Sequence, residues 1–185
     1  MSNFKKDYDA VFTHVCFWLG NDWRIDKRDT ACEDRIVMIN PDLRGYQIVA
    51  RAVKNRLFLV GFCRKGNSTS ECISCTASLK RAPKDLARHI EKTLLSEAMK
   101  QCAGVEEMLQ KIKADKERKF LLLHLLSKTA TVTPYQSYYN HICEIKTKNI
   151  KAELIERSNE LYELKLVDLS FEQLLKLVGQ LATVN

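Results

Sequence analysis

The chain has 185 residues, 45% of them hydrophobic, with six glycines and three prolines, a composition that excludes collagenous, Gly/Ser-linker and disordered classes and suffices for a globular core. Its net charge of +7 is unevenly spread: residues 44–128 hold 18 Lys/Arg against 8 Asp/Glu, whereas 1–43 and 129–185 are slightly acidic. A positive middle implies either an anionic partner or a solvated surface that keeps the chain soluble.

From Tyr8 to Leu19 the apolar residues Val11, Val15 and Leu19 recur every four positions, with Phe12 and Cys16 beside them, which predicts an amphipathic helix stopped by Gly20-Asn21-Asp22. After Trp23 the period falls to two. Arg35–Asn40 reads as a strand closed by Asn40-Pro41-Asp42 and Gly45. Tyr46–Val53 is the next strand, Lys54-Asn55 a two-residue hairpin, and Arg56–Cys63 the return strand. Arg64 to Ser70 reads as a loop into a fourth strand, Cys72–Leu79, with Ile73, Cys75, Ala77 and Leu79 on one face. Pro83 then starts a helix with Leu86, Ile90 and Leu94 as its apolar stripe. A second helical stretch, about Gly104 to Lys128, has an almost wholly charged middle, Lys111–Lys119, and reads as a long helix or helical hairpin arm projecting into solvent.

Thr129–Thr133 breaks that helix. Beyond Pro134, Tyr138–Lys146 and Ile150–Ile155 read as strands, with Arg157-Ser158-Asn159 turning into Leu161–Leu169. A helix over 149–164 is the rival reading, because short apolar runs fit both. Ser170 caps a last helix with Leu174, Leu175, Val178 and Leu181 in phase and Glu172 in its first turn. The expected fold is α+β: a four-stranded antiparallel meander with an N-terminal helix, a long helical arm and a C-terminal strand–helix unit. One domain is expected, with two lobes (1–102 and 129–185) joined by the arm 103–128.

The opening Met1 to Asp7 lacks the apolar stretch of a secretory signal. The longest apolar run, Phe120 to Leu126, is interrupted by His124 and falls far short of the roughly 20 residues of a spanning helix. Seven cysteines, an odd number without framework spacing, fit a reducing compartment, so a cytoplasmic location is expected.

Catalytic patterns are sparse. Cys72-x-x-Cys75, with Cys63, has zinc-ligand spacing. Residues three apart on a strand face opposite sides, however, and no second pair exists beyond His141-x-Cys143. Buried or incidental thiols are the expected reading. Nothing pairs His14, His89, His124 or His141 with a cysteine, and His124, inside an apolar run, reads as a hydrogen-bonded core residue. No Gly-rich phosphate loop, His-Glu-x-x-His or Gly-x-Ser-x-Gly occurs. The chain is therefore expected to be no enzyme and to take no metal or cofactor.

What the sequence does offer is basic surface. Arg81, Lys84, Arg88 and Lys92 fall within about a quarter of a helix circumference, away from Leu86, Ile90 and Leu94, and Arg64 and Lys65 could extend the set. Such a row can neutralise phosphates without reading bases. It can equally be an ordinary solvated face, with Asp85 and Glu91 at ion-pair spacing. Trp18, Trp23 and Tyr46 are candidate stacking platforms, but aromatics at element starts more often belong to a core.

The meander followed by Ser78 to Lys92 (Ser-Leu-Lys-Arg-Ala-Pro-Lys-Asp-Leu-Ala-Arg-His-Ile-Glu-Lys) and Leu94-Leu95 resembles a loose group of uncharacterised phage and plasmid proteins over about residues 35–128. In these a short strand ending in a basic residue precedes a Pro-initiated helix, a long charged helix and a final strand–helix unit. The resemblance carries no activity. It implies a mobile-element setting, where small non-enzymatic proteins, anti-CRISPR proteins among them, bind host nucleoprotein machinery. The expected function is thus to bind and inhibit or remodel a host nucleoprotein complex. The alternative is a direct DNA- or RNA-binding accessory protein. No membrane partner is expected, and the oligomeric state stays open.

Overall fold

A computed structural model describes residues 4–20, 22–29, 32–135, 140–157 and 161–182. The chain divides into two compact units, Met1–Ile112 and Lys113–Asn185.

The first unit opens with helix α1, Phe4–Leu19. It starts one turn earlier than the apolar stripe predicts, because Phe4 is buried and its ring stacks on Tyr8 at 4.8 Å and lies 6.3 Å from Phe12. Six strands follow in one antiparallel sheet: β1 (Arg24–Ile25), β2 (Arg35–Ile39), β3 (Tyr46–Val53), β4 (Arg56–Lys65), β5 (Ser68–Thr69) and β6 (Ile73–Ser78). The order is β1-β2-β3-β4-β5, with β6 also pairing β4. The predicted four-stranded meander is its body, and the correction is two added strands of two residues each. β1 pairs the end of β2, and β5 folds back on Arg64 and Lys65 inside the segment predicted as a loop. Two residues are too few for an alternation to register.

Period-two burial decides which face is inside. The register sets Ile36 beside Ala50, Ala50 beside Leu59 and Leu59 beside Cys75. Leu57 sits beside Ala77 and Tyr46 beside Cys63. Helix α2, Pro83–Thr93, has Pro83 at its start and buries Leu86, Ala87 and Ile90. Together with Phe12 and Val15 of α1 and with Leu94, these form one buried cluster on the inner face. Each such Leu or Ile contributes about 1.5–3 kcal/mol through its burial. Tyr46 ties the layers together, its buried hydroxyl donating to the Leu94 carbonyl at 2.9 Å.

A 3₁₀ turn at Leu95–Glu97 leads into helix α3, Ala98–Ser127. It begins six residues before Gly104, where the sequence reading starts it. Glycine is a poor helix former, but buried Ala98 and Val105 anchor the first turns in the core. The helix is continuous, with no hairpin. Its charged middle is mostly exposed and carries ion pairs such as Lys111–Glu107 at 3.0 Å and Lys119–Asp115 at 2.9 Å.

In the second unit, strands β7 (Thr131–Pro134), β8 (His141–Lys146), β9 (Lys151–Glu156) and β10 (Tyr162–Val167) form a four-stranded antiparallel sheet in the order β10-β9-β8-β7. The segment read as a helix breaker, Thr129–Thr133, therefore overlaps a strand, Thr131–Pro134. The predicted start at Tyr138 and the turn residues Ser158 and Asn159 lie outside the described residues. The rival helix over 149–164 is overturned. Ala152 and Leu154 alternate inward, and Thr147 and Ile150 close the β8–β9 turn, the Thr147 N–H donating to the Ile150 carbonyl at 2.9 Å. Ile142, Cys143 and Leu154 form a small core covered by Leu122, Leu123 and Leu126 of α3. His124, expected in a core, is exposed and stacks on Phe120. Arg118 and Lys119 each reach Glu156 of β9, at 2.7 and 2.8 Å. Helix α4, Phe171–Leu181, begins at Ser170 with a full Ser170–Gln173 capping box and buries none of its residues.

Candidate binding face

In the first unit α1 and α2 lie side by side, and their outer surface holds the basic residues of interest. The α2 apolar stripe faces the sheet, so Lys84, Arg88 and Lys92 are exposed on its outer side. Arg81 precedes the helix rather than belonging to it. It is exposed in the turn after β6, its N–H donating to the Ser78 carbonyl at 3.1 Å. The helical phase assigned to it from sequence therefore does not apply, although it stays within a few residues of Lys84. Arg88 is engaged by Asp85 at 3.3 Å, an exposed pair of the kind that adds little stability.

Two residues of the extended set lie elsewhere. Lys65 is bound to Glu106 of α3 at 2.6 Å, which raises its pKa. Arg64 alternates with buried Cys63 along β4, so it lies on the opposite face of the sheet from α1 and α2 and lines a groove with Arg35 and Gln47.

Of the three aromatic candidates, Trp23 and Tyr46 belong to the core and Trp18 does not, and the structure adds Phe17 beside it. Trp23 and Tyr46 are buried, their rings edge-to-face at 6.4 Å. Trp18 is 50% exposed and Phe17 74%, packed edge-to-face at 5.6 Å. The Lys84 ammonium stands 4.7 Å over the Trp18 ring, within cation–π range. The signal was present in the helical wheel. At 100° per residue, Phe17 falls almost opposite the buried arc of Phe4, Phe12 and Val15, and Trp18 about a quarter turn from its centre.

A cleft of about 1040 Å³ adjoins Phe17, lined among others by Lys5, Asp9, Thr13, Trp23 and Arg28. Two of its ionic groups, Asp26 and Arg28, pair with each other at 2.8 Å. The Arg28 guanidinium holds the Asp26 carboxyl below its usual range, and Arg35 does the same to Asp29. Cys16, at the cleft wall, has its thiol pushed up to about 12 by burial, so it carries no thiolate near neutral pH. Burial likewise raises Cys75, whose sulfur accepts a hydrogen bond from Thr93 at 3.4 Å, and pushes Cys102 up to about 12. Cys63 is buried, whereas Cys72 is exposed. Among the described residues no group of three or more His, Cys, Asp or Glu side chains is placed to hold a metal ion. Among the described residues no helix is long and apolar enough to cross a membrane.

Comparison with family models, with curated proteins and with solved structures finds no match to this chain.

Proposed function

We propose that this chain is a non-enzymatic binding protein that docks on a host nucleoprotein complex through the α1–α2 face and, in the mobile-element setting implied by the resemblance, inhibits or remodels that complex. The observation that carries the reading is the exposed Phe17–Trp18 pair with Lys84 over the indole and Arg81, Arg88 and Lys92 beside it. Aromatic and cationic groups together favour a partner with apolar anchor points and negative charge, since hot spots are enriched in Trp and Arg. Charge alone is a weaker basis, because Asp85 and Glu91 flank the cations on the same helix.

The same pairing favours a second reading, direct binding of single-stranded DNA or RNA, with Trp18 as a stacking platform and the cations tracking phosphates. One experiment separates the two. Trp18→Ala and a triple reversal Arg81→Glu, Lys84→Glu, Lys92→Glu should each leave the thermal midpoint nearly unchanged and abolish capture of the host complex from nuclease-treated lysate. If naked oligonucleotide binds instead, quenching Trp18 fluorescence with a log–log salt slope of about −2 to −3 for three phosphate contacts, the nucleic-acid reading holds. Undiminished capture by both variants would remove the α1–α2 face from consideration.

A further inference from the structure

β10 is the edge of the second sheet, paired to β9 on one side, and no second strand pairs it among the described residues. An edge strand offers a row of backbone donors and acceptors to another strand. With the preceding Leu161, its sequence, Leu161-Tyr162-Glu163-Leu164-Lys165-Leu166-Val167, has a symmetry that matters for what can pair with it. Centred on Leu164, an antiparallel copy sets Glu163 opposite Lys165, Lys165 opposite Glu163, Tyr162 opposite Leu166 and Leu161 opposite Val167. Every pair is apolar with apolar or opposite in charge.

We propose that β10 pairs antiparallel with β10 of a second copy of this chain, about a two-fold axis at Leu164, joining two four-stranded sheets into one of eight. Lysine on an edge strand ordinarily deters such pairing. Here each copy brings its own countercharge, and in the pair Lys165 lies between Glu153 of its own β9, its register partner, and Glu163 of the other copy. The arrangement is isologous, the commonest form of closed symmetry, and pairing through β10 ends at two chains because it consumes the β10 edge of each copy.

Exposed apolar area favours the same partner. Among the described residues, ten of the nineteen exposed large hydrophobic side chains fall between Leu161 and Leu181, at 37–75% exposure. At about 150–200 Å² per fully exposed large side chain, they leave on the order of 1,000 Å² of apolar surface. A standard interface needs about 800 Å² per partner. On β10, Tyr162, Leu164 and Leu166 share the face on which Leu154 and Cys143 are buried, so a second copy continues an existing core. α4 contributes its stripe of Leu174, Leu175 and Val178. Its opposite side is held by the Gln173 amide, which donates to the Asn149 carbonyl at 2.8 Å.

The test uses the full chain. Sedimentation equilibrium should give about twice the 21.4 kDa chain mass. Glu163→Lys and Lys165→Glu each place like charges opposite one another twice, and each should weaken dimerisation about ten- to a hundredfold. Mixing the two variants restores both opposite-charge pairs and should restore the dimer as a heterodimer, an outcome that misfolding of either variant cannot produce. Leu164→Cys, at the axis, should cross-link to itself under mild oxidation, whereas Val167→Cys, which faces Leu161 of the other copy, should not. A monomeric wild-type chain, or a dimer indifferent to both charge reversals, overturns the proposal and assigns the apolar surface to another occupant.

Discussion

Tyr46 passes over the one position on β4 that can admit it. A Cβ placed on Gly61 would collide with the Tyr46 hydroxyl, and that hydroxyl cannot swing aside because it is buried and bonded to the Leu94 carbonyl. Gly61→Ala should therefore cost about 1–3 kcal/mol as an overpacked core change, read from the urea midpoint. Tyr46→Phe removes the colliding oxygen, so the same glycine change should cost less in that background; equal costs would locate the strain elsewhere. The thiols are graded by burial, with Cys72 the exposed one among the seven. Burial raises Cys16, Cys75, Cys102 and Cys143, while Cys72 is exposed. Maleimide should label the native chain first at Cys72, and Cys72→Ser should remove most of the fast phase seen by mass spectrometry. Fast labelling at Cys16 or Cys102 would mean that the first unit opens far more often than its packing implies.

The elements read from sequence most accurately are those whose burial matches a single period. β3 and the Lys54-Asn55 turn fall where the alternation puts them, and α2 starts at Pro83 as its apolar stripe requires. The turn has positive φ at both residues, 47° and 61°, the geometry of a type I′ hairpin, which favours Asn-Gly. Lys54→Asn with Asn55→Gly should accordingly raise stability by about 0.5–1 kcal/mol, seen as a higher thermal midpoint. A lower one would show that the native side chains make compensating contacts. Three features were not legible in this way. β1 and β5 are two residues long. α3 runs through Gly104 because core contacts override propensity. The second sheet buries few side chains, so its strands show weak alternation and left the 149–164 helix as a rival. The candidate face was half legible: the cations of α2 and the outward phase of Phe17 and Trp18 follow from helical periodicity, but the stacking of Lys84 on Trp18 depends on α2 lying beside α1, which no local pattern encodes. Arg64 failed because it alternates with buried Cys63 onto the other face of the sheet, and Lys65 because Glu106 of α3 engages it.

Across the whole molecule, the ion pairs share one sign of pH dependence. Asp26, Asp29, Asp115 and Glu144 all have lowered pKa values, caused chiefly by hydrogen bonds from Arg28, Arg35, Lys119 and Lys151. A carboxyl depressed in the folded state contributes fully above its unfolded value, about 3.9 for Asp and 4.3 for Glu, and loses that contribution as pH falls through the folded one. The urea midpoint should thus be flat from about pH 7 to 5 and decline below about pH 4. Because the cations of these pairs stay 38–81% exposed the decline should be shallow, and its absence would mean that the pairs add nothing to stability. The division of the chain at Ile112/Lys113 also has a consequence during synthesis. Within each sheet the paired strands lie close together along the chain, and among the described residues no strand of 1–112 pairs one beyond. A ribosome adding roughly 5–20 residues per second releases every partner of the first sheet several seconds before the second sheet is complete. The α1–α2 face can therefore form on a nascent chain, before β10 and its exposed edge have been translated.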